Sequence, residues 1–261
     1  TCEDPETTPT DEPSDIKILE LFTELHNQAI KNGGAVFSLL GNHEIMNVQG
    51  NMNYVSYKGI KQFEKEIDPV SNKRFSSGIV ARKHLFKKGN KYARFLACTR
   101  QTAIIIGSNL FVHASILPDL AKAFPNIKDL NILVKKWLLN LIDDKDSLGS
   151  DLEKKGINNI GDILVNYNLS PFWPRVLGNL SPNKPFTSDE CMEFLDKTLE
   201  IYVVNNMIVG HTPQIFTSDR SGINPTCIEV DDIKKNSDGK VWDNIKKSVW
   251  RVDVGSSAGF N

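Results

Sequence analysis

Apolar residues after Ser14 recur every three or four positions, which is the spacing of an amphipathic helix. Ser14 is a suitable N-cap, and the Gly33-Gly34 pair suits the end of a helix. The pattern therefore predicts a helix between these residues. The apolar side chains that share one face of this helix are Ile18, Leu21, Phe22, Leu25 and Ala29.

A short apolar run, Ala35 to Leu40, follows the glycine pair. A run of this length after a helix is typical of a buried strand. Its carboxyl end leads into the polar residues Gly41-Asn42-His43-Glu44. Helix, strand and polar loop in this order indicate an α/β fold, in which ligands bind at the carboxyl ends of the strands.

Later apolar runs rich in β-branched residues predict further strands. Ala103 to Ile106 and Leu110 to His113 are separated by Gly107-Ser108-Asn109, as in a tight hairpin. Met207 to His211 and Val249 to Val254 are short strands nearer the C-terminus.

Helical spacing recurs from Asp129 to Ile142, and Thr187 with Glu190 forms a capping box that predicts another helix start. Asp143 to Leu169 is polar and weakly periodic, which predicts loops with at most short helices. Lys234 to Lys240 predicts a charged loop.

Composition bounds the domain organisation and the partners. Residues 1–13 contain five acidic and no basic side chains, so they predict an acidic loop that cannot bury apolar surface. A chain of 261 residues is the size of one large domain, which we assign to residues 14–261. The 31 basic and 32 acidic side chains nearly cancel, which gives no global attraction to nucleic acid or to a membrane surface.

Four cysteines, Cys2, Cys98, Cys191 and Cys227, are widely scattered and form no CxxC pair. This spacing predicts neither a zinc ribbon nor a disulfide framework, and it favours a reducing, cytoplasmic location. No apolar run approaches the roughly 18 residues of a membrane span, and the first residues lack the pattern of a secretion signal. The sequence therefore predicts a soluble protein.

The side chains with metal-binding capacity, Asn42, His113 and His211, each follow or end a predicted apolar strand. Imidazole is a good ligand for zinc, iron and manganese, and an asparagine oxygen suits harder ions. A single histidine in such a place is more often a hydrogen-bonded structural residue. The repetition at three strand ends favours a mixed nitrogen and oxygen metal site.

At these blocks the sequence resembles a known family. Leu40-Gly41-Asn42-His43-Glu44 resembles the central signature of the phosphoprotein phosphatase branch of calcineurin-like metallophosphoesterases. Ile45-Met46-Asn47 with Tyr54-Val55 resembles the Shewanella-like protein phosphatase subgroup. The blocks that agree with the family in sequence order are Phe111-Val112-His113, Gly210-His211-Thr212-Pro213 and Trp250-Arg251-Val252-Asp253-Val254-Gly255.

The resemblance implies a calcineurin-like α/β fold with two packed mixed sheets flanked by helices. It makes Asn42, His113 and His211 ligands of the second of two divalent ions, with Mn, Fe or Zn as the natural metals. It also implies that a metal-bridging hydroxide attacks phosphorus, while His43 protonates the leaving group as general acid.

Arg175 follows the proline-stiffened turn Pro171-Phe172-Trp173-Pro174, which resembles the family segment before its phosphate-binding arginine. A guanidinium can hold two phosphate oxygens at once. The alternative is a surface arginine packed on Trp173. Glu44 has two interpretations as well, a catalytic carboxylate or one that the helix N-terminus favours.

Two family motifs are absent from residues 1–40. The family holds its first metal with an aspartate-any-histidine motif and a glycine-aspartate-any-any-aspartate-arginine motif, both upstream of the asparagine-histidine-glutamate block. We therefore expect this chain to lack the first strands and most first-metal ligands, and to have little activity alone. Smaller departures are Asn53, where the subgroup often has arginine, and Ala114-Ser115, where the family usually has two glycines.

The resulting hypothesis is a metal-dependent phosphatase that hydrolyses phosphate monoesters of phosphoproteins or small molecules. One alternative is a non-catalytic module, binding phosphate or protein, with a degenerate metal site. Another is a nucleotide phosphodiesterase of the same superfamily. The sequence does not specify the substrate, the metal or the oligomeric state.

Overall fold

The computed structural model describes residues 11–214, 222–230 and 245–255. They form two compact units, which we describe separately. The first comprises the described part of Thr1–Gln101 together with Val134–Asp143, and the second comprises Thr102–Leu133 and the described part of Asp144–Asn261. The assignment of one domain to residues 14–261 stays a prediction, and the predicted charged loop at 234–240 lies outside the described residues.

The first unit is helical in its described part. A cluster of aromatic rings lies in its core. The ring centroid of Tyr92 lies 5.8 Å from that of Phe63 and 4.9 Å from that of Phe86. The helices of this unit are α1 Asp15–Lys31, α2 Asn42–Val48, α3 Tyr57–Lys61, α4 Gly78–Phe86 and α5 Lys91–Thr99.

Helix α1 confirms the predicted helix after Ser14, but its apolar face is not buried. Leu21 is 55% exposed, and Ile16 is the buried hydrophobic residue of the helix. Two buried arginines explain the orientation, because Arg82 bonds Asp15 and Arg100 donates to the carbonyl of Leu19 at 2.6 Å. These charged groups must be paired when buried, so they bring the more polar side of α1 inward.

The predicted strand from Ala35 to Leu40 is wrong. The segment forms one parallel bridge, between Leu39 and Gln101, and Phe37 is 51% exposed. A strand needs a neighbour that continues the hydrogen-bond ladder. Among the described residues of this unit, Gln101 alone supplies such pairing, through Leu40 N–H to its carbonyl at 2.8 Å and its own N–H to Ser38 at 3.1 Å.

The second unit contains a mixed five-stranded sheet in the order β1-β2-β3-β5-β4. β2, β3 and β5 are parallel neighbours, whereas β1 and β4 are antiparallel edge strands. The bounds are β1 Ala103–Ile106, β2 Asn109–Val112, β3 Asn206–Val209, β4 Asn224–Val230 and β5 Ile245–Arg251.

The sheet confirms the predicted α/β class, the hairpin and the presence of the two C-terminal strands, although β3 ends at Val209 and β5 at Arg251, before the predicted ends at His211 and Val254. β4 was not predicted. The parallel pairing sets Val112 opposite Val209, so the carboxyl ends of β2 and β3 meet at one edge. The resemblance implies two packed sheets, but the part of the chain that the structure describes holds one.

A series of helices lies between β2 and β3 in the sequence. The predicted helix at Asp129 is confirmed as α7, and the stretch from Asp143 to Leu169 contains short helices as predicted. α7 contributes its residues from Val134 onward to the first unit. The bounds are α6 Pro118–Ala123, α7 Ile127–Leu138, α8 Ser150–Glu153, α9 Ile160–Val165, α10 Val176–Asn179, α11 Asp189–Cys191, a π-helical turn Met192–Asp196 and α12 Lys197–Tyr202.

The capping box predicted at Thr187 is wrong by one residue, since the N-cap of α11 is Ser188. Glu190 is engaged elsewhere, because Lys184 Nζ donates to its carboxylate at 2.7 Å. This charged hydrogen bond lowers the pKa of Glu190 below its ordinary value.

A disulfide joins Cys191 to Cys227, with the two Cα atoms 5.6 Å apart. The expectation of no disulfide is therefore wrong for this pair, which lies 36 residues apart in sequence. Spacing could not show it, because α11 and β4 approach each other only in the folded unit. Disulfides persist in oxidising surroundings, so the cysteines no longer favour a reducing location, and the cytoplasmic location stays a prediction.

None of the helices in the described ranges combines the length and the apolar character that a membrane span requires.

Candidate active site

Two histidines meet at the carboxyl edge of the sheet in the second unit. His113 follows β2 and His211 follows β3, and Gly210 N–H donates to the carbonyl of His113 at 2.9 Å. Nε2 of His113 lies 3.0 Å from Nδ1 of His211, and the ring centroids are 4.8 Å apart. His211 is buried and His113 is half-buried.

The backbone at His211 is unusual. Its φ is +61°, a left-handed value that non-glycine residues adopt rarely. Thr212 N–H donates to the carbonyl of Gly210 at 2.7 Å, which closes a γ-type turn around His211. Such strained residues persist where the surroundings enforce them, and they concentrate at functional sites.

Arg175 and Trp173 reach the same turn. Nη1 of Arg175 donates to the carbonyl of His211 at 2.8 Å, and the rings of Trp173 and His211 are nearly perpendicular, with centroids 6.1 Å apart. A hydrogen bond anchors the Trp173 side chain, because its Nε1–H donates to the carbonyl of Leu164 at 2.8 Å. Arg175 is exposed. The sequence predicted Arg175 as a phosphate-binding residue; the structure places its guanidinium on the turn that carries His211, and the phosphate role stays a prediction.

The turn after His211 packs tightly on α10. A Cβ atom added to Gly178 would lie 2.3 Å from Oγ1 and 2.5 Å from Cβ of Thr212. Only glycine therefore allows α10 to approach the turn this closely.

A buried polar network supports the turn and α10. Gln214 Nε2 donates to Thr212 at 2.7 Å and to Gly178 at 3.2 Å, and its Oε1 accepts from Asn224 at 3.1 Å. Arg251 donates to Asn224 and, at 3.3 Å, to Gly178. Sequence reasoning missed this network, although Arg251 lies in a block that resembles the family.

Asn42, His43 and Glu44 lie in the first unit, at the N-terminus of α2. Asn42 is buried and His43 is exposed. Glu44 accepts the backbone N–H of Gly41 at 2.7 Å. This contact is the helix-capping role that was one of the two interpretations of Glu44.

The imidazole of His43 stacks on the ring of Tyr54, with centroids 4.8 Å apart and planes 16° apart. The backbone of His43 is fixed as well, because Asn47 Nδ2 donates to its carbonyl at 2.8 Å. Buried Arg82 in turn donates from Nε to Asn47 at 2.8 Å. Tyr54 and His43 line a cavity of about 350 Å³ within this unit. The resemblance had already singled out Tyr54, without giving it a role.

The histidine pair fits the metal-ligand role. Two nitrogens bound side by side to one ion at about 2.1 Å lie roughly 3 Å apart, which matches the 3.0 Å between His113 and His211. The same distance suits an N–H···N hydrogen bond when no ion is bound. Among the described residues, no cluster of three or more His, Cys, Asp or Glu side chains could hold a metal.

The structure thus brings together His113, His211 and Arg175 of the five predicted site residues. Asn42 and His43 are adjacent in the first unit. Their convergence with the histidine pair, and the ligand and catalytic roles of all five, stay predictions.

No model of a known protein family matches the chain. The uncharacterized protein R398 of Acanthamoeba polyphaga mimivirus is 37% identical over 248 residues, which cover 92% of this chain and 88% of that protein. Shewanella-like protein phosphatase 2 of Arabidopsis thaliana is 26% identical over 153 residues, which cover 48% of this chain and 39% of that protein.

Among solved structures, a cold-active protein tyrosine phosphatase matches 92% of this chain with a TM-score of 0.53 and 22% identity. At this identity the likeness shows a shared fold. The chain spans 54% of that phosphatase and 39% of the Arabidopsis phosphatase. These comparisons relate the chain to phosphatases.

Proposed function

The chain belongs to the family of the mimivirus protein R398, and from that premise we propose that it is a metal-dependent phosphatase of phosphate monoesters, phosphoproteins among them. The observation that carries the proposal is the His113–His211 pair, with Arg175 beside it, at the carboxyl ends of two parallel strands. The relationship to Shewanella-like protein phosphatases supports it.

In this proposal the histidine pair holds a divalent ion, with Mn, Fe or Zn as candidates, and the resemblance adds Asn42 as a further ligand. Two such ions, when bound, would stabilise negative charge on phosphate and activate water. The strained turn fixes the backbone of His211, and with it the direction in which its side chain leaves the chain. The ring of Trp173 lies nearly perpendicular to the His211 ring, with centroids 6.1 Å apart, which limits the positions that the imidazole can adopt.

Arg175 contributes a fixed cation. One of its terminal nitrogens is occupied by the carbonyl of His211, and this bond orients the planar guanidinium. The remaining N–H groups are available to phosphate oxygens, which a planar guanidinium binds in pairs.

His43 serves as the general acid. Water loses a proton to solvent as its oxygen bonds to phosphorus, the bond from phosphorus to the leaving oxygen breaks, and that oxygen takes a proton from the His43 imidazolium, which solvent then reprotonates. The exposed position of His43 at the start of α2 leaves its ring edge accessible to a substrate.

The test combines ion binding with turnover. We expect purified residues 1–261 to bind divalent ions and to hydrolyse p-nitrophenyl phosphate slowly with manganese. His113→Ala and His211→Ala should abolish both properties. His84→Ala is the matched control, because His84 lies in the first unit against Phe75, and it should change neither.

Ion binding can be followed by calorimetry and by the visible spectrum of bound Co²⁺. A chain that binds no divalent ion and hydrolyses no phosphate ester contradicts the proposal. Binding without any turnover supports the alternative of a non-catalytic module. Faster hydrolysis of bis-p-nitrophenyl phosphate than of the monoester supports a phosphodiesterase.

A further inference from the structure

We propose that Tyr54 is a positioning residue, which holds the imidazole of His43 in the orientation needed for proton donation. The proposal rests on the proposed function, since it concerns the general acid of that reaction. Its basis is the nearly parallel stack of the two rings, at 4.8 Å and 16°.

The stack is the main constraint on the His43 side chain. Among the described residues of its unit, the imidazole has no hydrogen bond, and Tyr54 is its aromatic neighbour. The backbone of His43 is fixed through Asn47, but a fixed backbone still allows the imidazole to rotate about its side-chain bonds. A general acid must lie within hydrogen-bond reach of the leaving oxygen, so this freedom would reduce its efficiency.

The loop that carries Tyr54 is built to present an exposed ring. Met52 and Val55 on either side are buried, and Val55 N–H donates to Met52 at 3.0 Å. Asn51 N–H bonds the carbonyl of Met46 at 2.9 Å, which ties the loop to the end of α2. Tyr54 itself is 69% exposed. The Tyr54 ring therefore contributes little to the core, and the ring that it covers is the imidazole of His43.

The position of Tyr54 leaves room for a substrate. Both rings line the cavity of about 350 Å³, so Tyr54 forms part of its wall and covers one face of the imidazole. The ring edge of His43, which carries both nitrogens, is not covered by a parallel stack. Tyr54 therefore restricts the orientation of the acid without blocking its proton.

The first experiment measures the ring itself. In Tyr54→Ala the ring protons of His43 should move downfield in the NMR spectrum, because the aromatic shielding is lost, and the imidazole should become more mobile. Tyr54→Phe keeps the stack and should preserve both properties. Tyr57→Ala is the control for loss of a neighbouring tyrosine. Unchanged His43 signals in Tyr54→Ala would overturn the proposal, whatever the activity of the protein.

The second experiment measures turnover with two leaving groups. Tyr54→Ala should lower kcat on a phosphoserine peptide about tenfold, part of the 100-fold or larger effect of a general acid. KM should hardly change, Tyr54→Phe should restore kcat, and p-nitrophenyl phosphate should show little loss because p-nitrophenolate leaves without a proton.

A double-mutant cycle decides whether Tyr54 acts through His43. In a His43→Asn background, Tyr54→Ala should cost nothing further. An additional loss there, or a rise in KM alone, would make Tyr54 a substrate-binding residue and refute the positioning role. If the wild-type protein hydrolyses no phosphate ester while the NMR shift is observed, the proposed phosphatase function is refuted. The effect of Tyr54 on the orientation of the His43 ring is then still established by the NMR experiment.

Discussion

The close approach of Gly178 to Thr212 gives a prediction whose size follows from the structure. In Gly178→Ala the new Cβ would lie 2.5 Å from Cβ of Thr212 and 2.3 Å from its Oγ1. Carbon atoms normally touch at about 3.5 to 4.0 Å. The turn would have to move by roughly 1 Å, because Cβ of Thr212 cannot rotate away from the backbone.

Overpacking of this kind costs about 1 to 3 kcal/mol, and the backbone-fixed contact places Gly178→Ala at the upper end. A loss of about 3 kcal/mol lowers the unfolding temperature by roughly 6 to 12 °C for a unit of this size. The displaced turn carries His211, so we also expect weaker Co²⁺ binding. If the misplaced His211 ligand costs ~1.4 kcal/mol of binding free energy, the Kd for Co²⁺ rises about tenfold.

The assay is thermal unfolding followed by circular dichroism and by the fluorescence of Trp173, which lies against the same turn. Gly210→Ala is the matched control, because its new Cβ would approach only the carbonyl of His113, at 3.5 Å. It should change stability by less than about 0.5 kcal/mol.

Rescue separates steric overlap from a general intolerance of alanine. Thr212→Gly should recover most of the stability lost in Gly178→Ala, relative to Thr212→Gly alone, whereas Thr212→Ser keeps Cβ and should not. If Gly178→Ala unfolds at the wild-type temperature, or if Thr212→Gly brings no recovery, the proposed overlap is refuted.

Three further outcomes are expected. Burial raises the pKa of Tyr202 above its unfolded value of about 10; its contribution to stability is complete below pH 10 and is lost as pH rises towards the folded pKa. Tyr202→Phe should therefore flatten the fall in urea stability above pH 10, although it loses the hydrogen bond to Phe124. Replacing Cys191 and Cys227 by serine should cost about 4 kcal/mol, by the loop-entropy estimate for a bridge across 36 residues, and dithiothreitol should lower wild-type stability similarly. Arg82→Ala removes a buried guanidinium that bonds three groups, and should lower the free energy of unfolding by about 3 kcal/mol in urea titrations.

Local sequence predicted those elements whose apolar spacing and turn residues lie within a short stretch of the chain. The hairpin of β1 and β2 follows from two β-rich runs around Gly107, and α1 follows from a helical period and a glycine stop, although Ser14 makes no side-chain capping hydrogen bond. In the same way the polar residues at the ends of β2 and β3 could be recognised as site candidates before their neighbours were known. The relation to phosphatases also came from short blocks, and the comparisons support it.

Three of the errors concern partners that are distant in sequence. Helix α1 has the predicted bounds, but Arg82, which is 67 residues from Asp15, decides which of its sides turns inward. Residues 35–40 have the composition of a strand without a neighbouring strand to complete a ladder among the described residues of their unit. Cys191 and Cys227 are adjacent only because β4 and α11 are folded together.

The sequence by itself determined the type of α1, α7 and the strands β1, β2, β3 and β5, together with the chemical identity of the candidate site, because both depend on residue type and short-range spacing. Only the tertiary structure decided that His113 and His211, 98 residues apart, face each other at 3.0 Å, and that Tyr54 covers His43. The physical reason is that parallel pairing of β2 with β3, the close contact allowed by Gly178, and the burial of Met52 and Val55 are properties of packing, which no local pattern encodes.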